Sequence, residues 1–118
     1  MKGTILFLGL LSCLAYVYAQ SHHSIWGMRV AGDYLANKTI ERKSSSWMQI
    51  VTNDITYPAK GQIGVRNITA IYCYDQYQNG NGGYASLYAG GPGYNHTTIH
   101  LKSQRGHGFN FIVEIYGR

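Results

Sequence analysis

His96 and His100 stand four positions apart, the spacing at which two imidazoles on a helix can hold one metal ion. The residues around them read as a strand instead. Four rises of about 3.3 Å then separate the pair by about 13 Å, too far to share an ion. A second nitrogen set lies at Gln20-Ser21-His22, where a chain beginning at Gln20 puts histidine third from a free amine, a planar arrangement suited to Cu(II) or Ni(II). An N-terminal glutamine that cyclises removes that amine, so no metal site is expected. The glycine clusters Gly80-Asn81-Gly82-Gly83 and Gly90-Gly91-Pro92-Gly93 match no nucleotide fingerprint and open no evident helix, so they read as turns and no cofactor is expected. There is no Ser/Cys-His-Asp arrangement with recognisable context. The five carboxylates, Asp33, Glu41, Asp54, Asp75 and Glu114, form no pair in an evident cleft. Asp54 and Asp75 read as turn or strand-end residues bonding local backbone amides. No catalytic residue and no enzymatic activity are expected.

Two other residue sets carry chemistry. Asn37-Lys38-Thr39, Asn67-Ile68-Thr69 and Asn95-His96-Thr97 are three N-glycosylation sequons, none with proline in the middle, and Asn37, Asn67 and Asn95 are the candidate attachment sites. Asn67 is the weakest of them, because Ile68-Thr69 reads as the start of a strand. Cys73 sits in Thr69-Ala70-Ile71-Tyr72-Cys73-Tyr74 and reads as a buried free thiol, with no neighbour suited to lowering its pKa.

The compartment follows from the first residues. Met1-Lys2, the apolar run Ile5-Leu6-Phe7-Leu8-Gly9-Leu10-Leu11, and small residues ending at Ala19 describe a secretory signal peptide with a cut after Ala19. The apolar run is too short to span a bilayer, and polar Gln20-Ser21-His22-His23 supplies no stop-transfer segment, so no membrane span is expected after the signal is removed. The organisation expected is a signal peptide at 1–19 and a single secreted domain at 20–118. Cys13 leaves with the signal, so Cys73 has no partner within the remaining 99 residues and stability must come from packing. That remainder carries nine basic and five acidic residues, formally +4 after loss of Lys2. The charge is scattered, with Arg42-Lys43 the single adjacent pair, which argues against a nucleic-acid arm or a polybasic anchor.

Eleven tyrosines and fifteen glycines point to an all-β domain with glycine-rich turns. The strongest strand is Phe109 to Tyr116, where Phe109, Phe111, Val113 and Ile115 share one apolar face and Glu114 points to solvent. Thr97 to Lys102 alternates in the same way, Ala85, Leu87 and Ala89 oppose Tyr84, Ser86 and Tyr88, and Arg66 to Tyr74 is a fourth strand. Trp47 to Thr52 reads as a fifth, with Thr39 to Lys43 and Ile25 to Val30 as further candidates. The expectation is a small antiparallel β-sandwich or barrel-like meander of about six to eight strands. Tyr72, Tyr74, Tyr77, Tyr84 and Tyr88 have two readings, a recognition surface or cross-strand packing, and mid-strand positions favour packing.

From Ser44 onward the chain resembles the multiprotein bridging factor 2 family, also described as insect salivary secreted peptides and response-to-pathogen proteins. The resemblance rests on Ser44-Ser45-Ser46-Trp47 through Asn53-Asp54-Ile55-Thr56-Tyr57-Pro58, on Ile68-Thr69-Ala70-Ile71 leading to Asp75-Gln76, and on Gly82-Gly83-Tyr84 onward. The last stretch is the most specific. It includes Gly90-Gly91-Pro92-Gly93, Thr98-Ile99-His100-Leu101-Lys102-Ser103-Gln104-Arg105-Gly106, Phe109-Asn110-Phe111 and Ile115-Tyr116. The resemblance implies a small secreted arthropod protein of gut, saliva or haemolymph linked to pathogen response, and, by the family's name, a transcriptional coactivator role. It brings no agreed catalytic or metal motif. A signal peptide and three sequons belong to the secretory route, so the expectation is an extracellular binding protein whose partner is a protein, a glycan or a pathogen component and not nucleic acid. The alternative is a nuclear coactivator bridging DNA-bound factors.

Overall fold

The computed structural model describes residues 21–118, and the expected signal peptide, Cys13 and Gln20 lie outside them. Seven strands follow in order: β1 (Ser24–Gly27), β2 (Tyr34–Lys43), β3 (Thr52–Tyr57), β4 (Ile68–Asp75), β5 (Tyr84–Gly90), β6 (Thr97–Lys102) and β7 (Phe109–Gly117). They form a four-stranded sheet, β1-β4-β7-β2, and a three-stranded sheet, β3-β6-β5, with every pairing antiparallel. Among the described residues there is no helix. Of the two architectures the composition allowed, the sandwich is the one realised.

The strand alternation sets the layers. Along β7, Phe109, Phe111, Val113 and Ile115 are buried while Asn110, Ile112, Glu114 and Tyr116 are half-buried on the opposite side. Ile71 and Cys73 of β4 join them, and the three-stranded sheet contributes Ile55, Tyr57, Ile99 and Leu101 to one continuous core. Trp26, Ala36, Val51, Ala85 and Leu87 seal its margins. Interdigitation of two inner faces is what lets the described residues form a close-packed core with no disulfide among them.

Connectivity departs from a simple meander. Only β5 and β6 are neighbours both in sequence and in a sheet. Arg105-Gly106-His107-Gly108 therefore carries the chain from one sheet to the other and does not close a hairpin. The strand expected at Trp47 to Thr52 is displaced: residues 47–51 form a loop, and β3 begins at Thr52 and runs to Tyr57. The reason is the crossing itself. Leaving β2 in one sheet for β3 in the other requires a turn, made where Gln49 N–H donates to Ser46 O at 3.0 Å and Met48 takes a φ of +53°. A register shift between Leu87 and Ala89 likewise turns Ala89 outward, away from the inner face on which its alternation placed it.

Two glycines are required by close approach. Gly82 is buried against the Asp75 carboxylate, and a side chain there would overlap it. Gly90 combines a φ of +59° with backbone contact to His96, so the β5–β6 turn excludes any side chain at that position.

Candidate functional site

An organised set of side chains outside the core lies on the outer face of the four-stranded sheet. Strands β4 and β7 are its two central strands, and their outward positions are Tyr72, Tyr74, Ile112, Glu114 and Tyr116. The register places Tyr72 beside Glu114 and Tyr74 beside Ile112. Tyr72 meets Tyr116 edge-on with centroids 5.4 Å apart and Tyr74 at 6.0 Å, and His23 packs its ring against Tyr74 at 5.8 Å. Such edge and offset contacts each add about 0.5–1.5 kcal/mol beyond burial. Tyrosine packing does occur, as its mid-strand placement suggested, but on the outside of the sheet. Tyr57 is the one tyrosine in the buried core cluster among the described residues.

The β1–β2 loop caps this face. The Arg29 guanidinium lies 3.9 Å over the Tyr116 ring, a cation–π contact. Arg29 Nη2 and Nε both reach Asp33 Oδ1 at 2.8 Å, and Asp33 Oδ2 accepts from Val30 N–H and from the Thr69 hydroxyl, each at 2.9 Å. The hydrogen bond to Asp33 raises the Arg29 pKa further. Burial pushes the Asp33 carboxyl up, but the hydrogen bonds from Val30, Arg29 and Thr69 outweigh it and hold the group below its ordinary range. At the other end, the Tyr116 hydroxyl donates to Glu114 Oε1 at 3.2 Å, and Lys38 Nζ stands 3.9 Å from Glu114 Oε2. Glu114 does face outward, half-buried beneath these neighbours. Burial first, then the Glu114 carboxylate, raises the pKa of both Tyr116 and Tyr74. Exposed Ile25 on β1 and Ile40 on β2 border the face, 58% and 68% accessible. The result is an ordered aromatic platform with an apolar margin, a surface able to stack and hydrogen-bond.

The expected site residues fall elsewhere. Cys73 is fully buried on the inner face of β4 and free, and burial pushes its thiol up to about 12, so it lacks the thiolate a nucleophile needs. Asn37 lies within β2 opposite Ile115, on the core side of an edge strand, and its Nδ2 donates to the Thr39 hydroxyl at 3.2 Å. Asn67 precedes β4, with both backbone groups bonded to Arg118 at 3.0 Å. Asn95 is exposed in the β5–β6 turn, its Oδ1 3.1 Å from His96 Nδ1. The structure brings the Asn67 and Asn95 segments together, since Ile68 N–H donates to Tyr94 O at 2.7 Å, and leaves Asn37 on the far sheet edge.

The histidines resolve differently from one another. His100 lies on β6, and its Nδ1 meets Asp54 Oδ1 of β3 at 2.5 Å while its ring stacks on Tyr88 of β5 at 4.4 Å. Asp54 is thus a mid-strand partner of a histidine and not a backbone-bonding strand end. Asp75 does take the expected local role, accepting from Tyr77 N–H at 3.0 Å, and it also accepts from His22 N–H at 2.9 Å. That second bond occupies the backbone nitrogen of His22, and the His22 ring stacks on Tyr84 at 4.5 Å, an arrangement that opposes a terminal Cu(II) set. Among the described residues no group of three or more His, Cys, Asp or Glu is placed to hold a metal. Sequence reasoning missed Arg29 and Asp33. Their four-residue spacing around Ala31-Gly32 is a turn signal, but Thr69 lies 36 positions away and only the fold supplies it.

Comparison with known proteins follows the same lines. No solved structure matches the chain significantly. A relative from Bombus ignitus described as a probable salivary secreted peptide is 46% identical over 99 residues, covering 84% of this chain and 72% of that protein. The family profile described as "Transcription activator MBF2" matches residues 26–117, which takes in all of the paired strands beyond the first two residues of β1. On both grounds the chain belongs to the MBF2 family.

Proposed function

We propose that this chain is a secreted, non-enzymatic arthropod protein that acts in saliva, gut or haemolymph by binding an extracellular protein, glycan or pathogen component. The observation that carries the binding reading is the platform of Tyr72, Tyr74 and Tyr116, with Arg29 over Tyr116, ordered in advance by its own contacts. Rigid tyrosines offer large contact area at low entropic cost, and preordering lowers what a partner must supply to bind. The extracellular reading is supported by the Met1–Ala19 segment, by three sequons and by the printed description of the Bombus relative. Two of the sequons, at Asn67 and Asn95, sit at one end of the sandwich, joined by the Ile68 N–H to Tyr94 O bond.

The second reading, a nuclear coactivator, is favoured by the family's printed description alone. One experiment separates them. Expressed with its own leader in insect cells, the protein is expected in the medium, beginning at Gln20 and running heavier than its sequence mass until treated with an N-glycosidase. Retention in nuclei with Met1 intact and no glycan shift would transfer the assignment to the coactivator.

A further inference from the structure

The sandwich has two poles of different character. One gathers the β1–β2, β3–β4 and β5–β6 connections together with the C-terminus, and it holds Asn67 and Asn95. The other gathers residues 44–51, 76–83 and 103–108, joining β2 to β3, β4 to β5 and β6 to β7. At that second pole Trp47 is 86% exposed, Met48 58%, and Ile50 is exposed beside them. Single exposed apolar residues are ordinary, but three within four positions at a loop tip are not.

The loop is held firmly. Arg105 Nη1 donates to Met48 O at 2.9 Å, Gly106 N–H to Gln49 O at 2.8 Å, and the Ser46 hydroxyl to Gln49 Oε1 at 3.0 Å. These bonds hold the loop on either side of Trp47, whose indole stands exposed. Cations surround it. Lys43 Nζ donates to Thr52 O at 2.8 Å, Lys102 is the register partner of Thr52, Arg42 precedes Lys43, and Arg105 braces the loop. Toward this pole the carboxylates are Glu41, which accepts from Asn53 Nδ2 at 2.7 Å, Asp54, which faces His100, and Asp75, buried under Gly82 and His22, so the four cations outnumber them.

We propose that this pole docks on an anionic phospholipid bilayer, with Trp47 and Met48 entering the headgroup boundary and Arg42, Lys43, Lys102 and Arg105 facing the lipid phosphates. Indole rings concentrate at membrane–water interfaces, and each nearby Lys or Arg adds attraction to an anionic surface. A convex tip ringed by lysine and arginine fits a lipid surface better than a protein interface, whose core is depleted of lysine. The docking is independent of the tyrosine platform and of the compartment reading, so it stands or falls separately from them.

The test uses the protein recovered from expression with its own leader, mixed with phosphatidylcholine vesicles with and without phosphatidylglycerol. Sedimentation with the anionic vesicles alone is expected, weakening as salt rises, with a blue shift of tryptophan emission and quenching by brominated acyl chains. Trp47→Ala is expected to lower the partition coefficient about tenfold or more and to abolish the quenching, leaving only Trp26 emission. The charge-reversed pair Arg42→Glu/Lys102→Glu is expected to lower it about tenfold or more as well. Both sets of positions are exposed, so melting temperatures should stay at the parental value and show that the variants are folded. Equal binding to neutral and anionic vesicles, Trp47→Ala binding at the parental level, or a saturable protein partner captured through Trp47 without vesicle binding would each overturn the proposal.

Discussion

The outer faces of the two sheets both display tyrosines, and they treat them in opposite ways. On the four-stranded sheet Tyr72 contacts both Tyr74 and Tyr116, all three lie half-buried, and Arg29 from the β1–β2 loop roofs Tyr116. On the three-stranded sheet Tyr84 and Tyr88 are exposed, and each stacks on a single histidine, His22 and His100. Sheet width accounts for the difference. In the wider sheet the tyrosines stand on its two central strands, β4 and β7, with neighbours on both sides, whereas β5 is an edge strand with one neighbour. The wider face becomes a fixed platform, and the narrower one remains a set of separate ring pairs.

A reference for both faces comes from the inner one. Phe111 is fully buried and opposes Asp75 and Glu41 along its two neighbouring strands. Phe111→Ala is expected to cost about 3–5 kcal/mol in denaturant unfolding, from lost transfer energy and the cavity left behind. A domain of this size has about 5–15 kcal/mol in total, so the variant should be marginal or unfolded. A folded Phe111→Ala protein with an unchanged melting curve would show that inward and outward positions on β7 have been assigned to the wrong faces.

How much of this was readable beforehand differs by residue. The β7 face was legible because a period of two with four large apolar residues has one way to be buried. The Cys73 burial followed from the same logic on β4. Strand partnership was not legible: β4 pairs with β1 and β7, and nothing local in Ile68–Asp75 announces either. Trp47-Met48-Gln49-Ile50-Val51 misled because apolar residues read as strand, while here Trp47, Met48 and Ile50 are presented at a loop tip and Val51 packs on the core margin. The Arg29–Asp33–Thr69 clamp and the Asp54–His100 pair depend on contacts across 36 and 46 positions, which no spacing rule reaches.

The clamp supplies a pH test of the platform. Asp33 is held below its reference value of 3.8, so its ionised form stabilises the folded chain. That contribution is present in full above 3.8 and is withdrawn as pH falls through the lower folded value. Asp33→Asn keeps the shape but removes the charge facing Arg29. The variant should have a lower urea midpoint than the parent at neutral pH, and the gap should narrow as pH drops below 3.8. A constant gap across that range would mean that the carboxylate charge contributes nothing and that the loop is held by its neutral hydrogen bonds.

The smallest expected effect separates the two tyrosine rows directly. Tyr116 loses three things on truncation to alanine: the edge contact with Tyr72, the roof of Arg29, and the bond to Glu114. Tyr88 loses one, its stack on His100, from a position 62% exposed. Aromatic contacts of this kind are worth about 0.5–1.5 kcal/mol, and exposed substitutions generally stay within about 0.5 kcal/mol. Tyr116→Ala is therefore expected to lower stability by about 1 kcal/mol or more, and Tyr88→Ala by about 0.5 kcal/mol or less. His100 keeps its bond to Asp54 in the Tyr88 variant, so the strand β3–β6 pairing has no reason to loosen. Equal losses from the two variants, read as shifts in urea midpoint at constant slope, would mean that the wide face is no better braced than the narrow one, and the platform would lose its claim to be preordered.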